Sequence, residues 1–219
     1  MKIVFLFYEG ITALDAIGPH EILSRLPGAS TFRVAERTGP IQTDASQLKL
    51  IADYSLTDVT NADVILVPGA GNATALSDHP ETLEWLRSIH VTTTWTTSVC
   101  TGSLILGAAG ILSNLKATTH WAAFDRLKLW KAIPTKERVV EDGKVITAAG
   151  VSAGIDMALI LSSKIAGEKF AQAIQLGIEY DPHPPFDVGS PEKADPMIRE
   201  GLRSRMTANF VKVSNELSN

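Results

Sequence analysis

The residues best suited to chemistry are Thr97-Ser98-Val99-Cys100-Thr101-Gly102-Ser103. A β-prone run stops at Cys100 and a helical pattern starts at Thr101, so the thiol falls on a sharp strand-to-helix turn. Such an elbow holds a nucleophile at the carboxyl edge of a sheet, where open α/β folds bind their ligands. Unpaired N–H groups at the start of the following helix favour thiolate over thiol, which predicts a lowered pKa for Cys100. Gly102 lets that helix approach the turn closely. The competing reading is that Cys100 is a small buried hydrophobe, and the local pattern does not separate the two.

Asp15 is the second candidate. In Thr12-Ala13-Leu14-Asp15 it fits a capping box, with the acid reaching back to the cap N–H. It also follows the first strand, which brings it toward the edge that carries Cys100. A carboxyl beside a thiolate in a closed pocket has its pKa raised by like charge and desolvation, so it can donate a proton near neutrality. Among the histidines, His20, His79 and His90 lie in helical surroundings and His183 in a proline-rich stretch. Only His120 is expected to face the crevice, as a group behind the nucleophile, and nothing in the sequence pairs it with a carboxylate. No HxH, HxxxH or CxxC spacing suggests a metal. Pro68-Gly69-Ala70-Gly71 lacks the Walker lysine and the full dinucleotide fingerprint, and reads best as a source of backbone N–H groups near the nucleophile.

Positioning these residues requires a parallel sheet, and short β-rich runs alternating with helical patterns predict one. Strands are expected at Lys2–Tyr8, Thr31–Glu36, Asp63–Val67, Thr93–Val99 and Ala117–His120, with a hairpin at Val139–Val140 and Lys144–Thr147. Helices are expected at Thr12–Leu26, Asp78–His90, Thr101–Ala109, Trp121–Trp130, Ser152–Ala166 and Lys169–Tyr180. Gly39–Leu50 reads as an excursion with short strands of its own. Asp181–Pro196 carries five prolines and is expected to run extended, followed by a helix from Met197 to about Leu217.

The chain has 219 residues, 45% apolar and 20% charged, a net charge of −4 and one cysteine. Those values exclude a disordered chain and a disulfide framework, and they argue against nucleic acid as a partner. Lys2–Phe7 is too short for a signal-peptide core, and Ser88–Leu115 is too rich in Thr, Ser and Gly to span a membrane. A soluble cytoplasmic protein of one domain, with no membrane partner, is expected.

Several motifs resemble the ThiJ/PfpI superfamily: DVILVPGAG (63–71), the cysteine elbow with Thr-Gly-Ser, ATTHW (117–121) and AGVSAGIDMAL (149–159). Within it, LDAIGPHEIL (14–23), TSVCTGSLILGAAGIL (97–112) and IEYDPHPPFDVGSP (178–191) are similar to the isonitrile (isocyanide) hydratases. The resemblance spans essentially the whole chain. It implies a flavodoxin-like three-layer α/β sandwich, with residues 181–219 forming a proline-rich arm and a C-terminal helix. It also implies that Cys100 is the nucleophile, that Asp15 bonds its sulfur and acts as general acid and base, and that Thr101 lies at the active site. The Ala70 and Thr101 N–H groups would then stabilise the intermediate. The implied protein is a homodimer without cofactor or metal, acting on a small-molecule isonitrile through a cysteine thioimidate. A non-catalytic ligand-binding or redox-sensing domain is the alternative. Protease-like members carry Cys-His-Gly where this chain has Cys100-Thr101-Gly102. Many members place a glutamate where this chain has Asp15, and the glycine turn is PGAG rather than PGG.

Overall fold

The computed structural model describes residues 1–45, 48–72 and 76–216. In chain order the strands are β1 (Lys2–Leu6), β2 (Ser30–Ala35), β3 (Gly39–Gln42), β4 (Lys49–Ala52), β5 (Tyr54–Ser55), β6 (Val64–Val67), β7 (Trp95–Val99), β8 (Lys116–Ala117), β9 (Ile133–Pro134), β10 (Val139–Asp142) and β11 (Val145–Ala148). The helices are α1 (Ala13–Leu23), α2 (Pro80–Thr92), α3 (Gly102–Ala108), α4 (Ala153–Ala166), α5 (Glu168–Gly177) and α6 (Pro196–Glu216).

Seven strands form the central sheet in the order β10-β11-β7-β6-β1-β2-β5, and all neighbours are parallel except the β10–β11 hairpin. Counting only its principal strands, the parallel part runs 2-1-3-4-5, the flavodoxin-like order. The reversal lies between β1 and β6, and the loops leaving the carboxyl ends of β1, β6 and β7 meet beside it. Ile3–Leu6 of β1 and all of β6 are apolar and buried, as a parallel sheet covered by helices on both faces requires. Helix α4 packs on the sheet at β7, β10 and β11 with α1 and α5 beside it, and α3 packs on β6 and β7 with α2 beside it. Gly154 of α4 sits between Pro19 of α1 and the Val99 side chain, so a Cβ there would come within 3.1 Å of both.

The excursion after β2 is the antiparallel β3–β4 ribbon. One expected strand is shorter than predicted: β8 covers only Lys116–Ala117, and Thr118–His120 leave the ladder. The reason is side-chain competition. Thr118 N–H donates to Thr147 Oγ1 (2.9 Å), and Thr119 Oγ1 donates to the Cys100 carbonyl (2.9 Å). Trp121–Trp130 is also a 3-10 helix rather than an α-helix, closed by Lys131 in the left-handed region (φ +57°). No helix among the described residues is long and apolar enough to cross a membrane.

Candidate active site

Cys100 ends β7 with φ +58°, in the left-handed region that a side-chain-bearing residue enters only when its surroundings force it. Both sides of its backbone are tied down. The Cys100 N–H is shared between Ala148 O (3.1 Å) and Ala149 O (2.9 Å), and its carbonyl accepts from Thr119 Oγ1. The sulfur therefore has a fixed direction, and Cys100 is only 4% exposed.

Asp15 is fully buried at the start of α1. Its Oδ2 accepts the Gly69 N–H (2.9 Å), the Cys100 thiol interacts with the same carboxyl, and Oδ1 has no hydrogen-bond donor among the described residues. The capping box that the sequence also allowed is not made. The Thr12 N–H donates to Gly69 O (2.9 Å) and the Thr12 hydroxyl to Asp44. With the cap donor already used, the Asp15 carboxyl turns inward.

Thr101 joins the β6 and β7 turns. Its hydroxyl donates to Ala70 O and accepts from Ala70 N–H, both at 2.9 Å. This corrects the expectation for Ala70: its N–H is taken by Thr101 Oγ1 rather than open to a bound intermediate. Gly69 permits the convergence, since a Cβ on it would come within 2.6 Å of both Thr101 N and Oγ1 and 2.9 Å of Asp15 Oδ2. Gly102 is equally constrained, because a Cβ there would overlap the Val67 carbonyl.

The electrostatics correct a second expectation. Burial pushes the Cys100 thiol up, and the Asp15 charge pushes it further, against the opposing N–H groups of Val151 and Thr101. A helix end contributes at most about 2 kcal/mol, and removing a thiolate from water costs more. The resting cysteine is therefore a thiol. Asp15 is raised to about 7, chiefly by burial and then by Asp44, while the Gly69 and Cys100 hydrogen bonds lower it. Desolvation carries this rise, as expected, but the like charge comes from Asp44. Two coupled groups of this kind titrate as a pair.

His120 lies outside this pair. Its Nδ1 accepts the Ala122 N–H (3.2 Å) at the start of the 3-10 helix, and burial lowers its pKa. Its ring lines a cavity of about 960 Å³ that also includes Trp121, Phe124, Arg138 and Val151. The sequence reading missed two residues. Tyr8, buried two residues beyond β1, donates to the Pro68 carbonyl (2.7 Å), and burial together with the Asp15 and Cys100 charges raises its pKa. Val151 has φ +23°, and its backbone N–H favours the Cys100 thiolate. The position of Tyr8 at a strand's carboxyl end was a usable signal, whereas nothing local marks Val151.

The DJ-1/PfpI family matches residues 1–164 of the chain. The chain is 40% identical over 218 residues to the isonitrile hydratase of Pseudomonas putida, covering 100% of this chain and 95% of that one. Among solved structures it is similar to a ThiJ/PfpI family protein from Pseudomonas syringae, with TM-score 0.89 and 36% identity over 95% of this chain and 89% of the other. Drosophila melanogaster DJ-1beta, 20% identical with TM-score 0.73 over 83% of this chain and 98% of its own, shares the fold.

Proposed function

Because this chain belongs to the DJ-1/PfpI family, we propose that it is an enzyme that hydrates organic isonitriles to N-substituted formamides, with Cys100 as nucleophile and Asp15 as its proton carrier. The observation that carries this reading is the fully buried Asp15 carboxyl, raised to about 7, against a thiol. That pair holds one mobile proton and works without a histidine.

The reaction needs such a proton. The thiol proton passes to the Asp15 carboxylate as sulfur attacks the terminal carbon of R–N≡C. Asp15 then delivers it to that carbon, leaving the neutral thioimidate R–N=CH–S–Cys100. Water adds across the C=N bond, its oxygen to carbon and a proton to nitrogen. The tetrahedral adduct collapses, its hydroxyl proton returns to sulfur by way of Asp15, and R–NH–CHO leaves with Cys100 regenerated. Thr101 holds the β6 turn against the elbow, so that Gly69 keeps one carboxylate oxygen occupied and the other faces the reaction. The cavity beyond Val151 offers room for R. Burial and a raised thiol weigh against the redox-sensing alternative, since oxidation follows thiolate character and exposure.

The test is loss of an alkyl or aryl isonitrile with matching appearance of the formamide. Wild type is expected to turn over and Cys100→Ala to fall to background. No turnover across a series of isonitriles, or full activity without the thiol, would overturn the proposal.

A further inference from the structure

β1 ends at Leu6, and two residues later Tyr8 is buried, with its hydroxyl donating to the Pro68 carbonyl at 2.7 Å. That carbonyl belongs to the Pro68–Gly69 peptide, and the N–H of the same peptide donates to Asp15 Oδ2 at 2.9 Å. One amide is thus held at both ends, by a phenol from the β1 exit and by the acid at the start of α1. The next peptide of the turn is held likewise. Thr12 N–H donates to Gly69 O, and Ala70 N–H donates to Thr101 Oγ1, both at 2.9 Å.

A planar, conjugated amide transmits to its N–H what is done to its carbonyl. A donor on the oxygen draws charge through the C–N bond, so the N–H becomes a stronger donor, and bonds in such a chain reinforce one another. Leaving a buried carbonyl unpaired is costly, so the Tyr8 bond also fixes the peptide plane and the direction of the Gly69 N–H. Burial and the neighbouring Asp15, Cys100 and Asp44 keep the proton on Tyr8, which makes the phenol a permanent donor. The groups acting on Asp15 are the Gly69 N–H and the Cys100 thiol, which favour its charged form, and Asp44, which opposes it. We infer that Tyr8 is a positioning residue for Asp15: by holding the Pro68 carbonyl, its hydroxyl aims and strengthens the Gly69 N–H on Asp15 Oδ2, and so sets how readily that carboxyl takes up and releases its proton. The catalytic use of this chain of bonds rests on Asp15 being the proton carrier of the proposed reaction.

Carbon NMR of carboxyl-labelled aspartate, with the Asp15 signal assigned by its loss in Asp15→Asn, reads this titration directly and needs no isonitrile turnover. Tyr8→Phe removes one oxygen and keeps the ring. It is expected to raise the Asp15 midpoint by about half a pH unit above its value of about 7. The Gly69 amide proton should move upfield as its bond weakens. Replacing Tyr8 by a ring-fluorinated tyrosine makes the phenol a stronger donor, so both readings should move the opposite way. Trp85→Phe is the control. It removes a buried bond of the same length, from Nε1 of α2 to the Val59 carbonyl (2.7 Å). Whatever it costs in stability, it should leave both Asp15 readings where they are. If Tyr8→Phe does not fold, the fluorinated protein decides by the fall of its midpoint. An unmoved Asp15 midpoint in whichever Tyr8 protein folds, or a shift that Trp85→Phe reproduces, overturns the inference. The expected shifts without isonitrile turnover would instead count only against the hydratase reading.

Discussion

Two segments of this chain carry the same four-residue pattern and end differently. Ser55-Leu56-Thr57-Asp58 closes a capping box: Asp58 Oδ2 accepts the Ser55 N–H at 2.8 Å, and the Ser55 hydroxyl interacts with the same carboxylate. Asp58 is exposed, and those hydrogen bonds lower its pKa. Thr12-Ala13-Leu14-Asp15 has the same register, yet Asp15 is buried, bonded to Gly69 and raised to about 7. The difference lies in the cap residue. Ser55 keeps its N–H and hydroxyl for the local acid, whereas Thr12 gives its N–H to Gly69 and its hydroxyl to Asp44. An acid whose local donor is taken must find another, and here the nearest is the glycine turn beside the thiol.

The comparison breaks most severely at the glycine. Gly69→Ala drives a methyl into Thr101 and Asp15 at 2.6 to 2.9 Å, and backbone at the elbow cannot yield cheaply. Activity is expected to vanish while the far end of the sheet survives, which kinetics and circular dichroism check together. Retained activity would show that the three turns need not converge.

Asp15→Asn removes the proposed proton carrier and should lower kcat/KM by roughly 10²–10⁴. Its effect on stability has the opposite sign. Asp15 has a folded pKa above its unfolded value, so its contribution is fully present below about pH 4 and is lost as pH rises to about 7. The amide escapes that loss. At pH 8 the variant should be more stable than wild type by up to about 4 kcal/mol, and equal to it near pH 4. Denaturant titrations at the two pH values read the difference.

On the proposed mechanism, the wild-type form that carries the reaction holds one proton between Asp15 and Cys100. The rate should therefore rise as pH passes upward through about 7, an inflection that Asp15→Asn abolishes. A flat profile through that range would remove Asp15 from the chemistry.

Asp58→Asn gives the smallest effect. A slightly lower melting temperature at neutral pH and unchanged turnover are expected. The melting difference should shrink as pH falls through the depressed Asp58 pKa and the wild-type carboxylate also loses its charge. A loss of activity here would mean that the two boxes are not separate.

Much of the fold was legible. The apolar run at 64–67 read as a strand because both faces of a parallel strand are covered, 95–99 read as one through its β-prone Trp, Thr and Val, and the Asp142-Gly143 hairpin announced itself through its turn residues. Thr118–His120 was misread as strand because β-propensity does not register a threonine whose hydroxyl holds a carbonyl 19 residues away. The meeting of Cys100 and Asp15 was legible from type and position. The direction of the Cys100 shift was not, because a helix terminus is visible in sequence and burial beside a second acid is not.

The sequence by itself determined the strand-to-helix elbow, the lone thiol on it, the acid after the first strand and the glycines that let backbones approach. These follow from short-range sterics and hydrophobic periodicity, which neighbouring residues encode. Tertiary structure decided which partner Asp15 takes, that Ala70 serves Thr101, and that the thiol rests protonated. Each of these depends on which donor or charge lies across a gap between distant segments, and on how little water remains there to screen it.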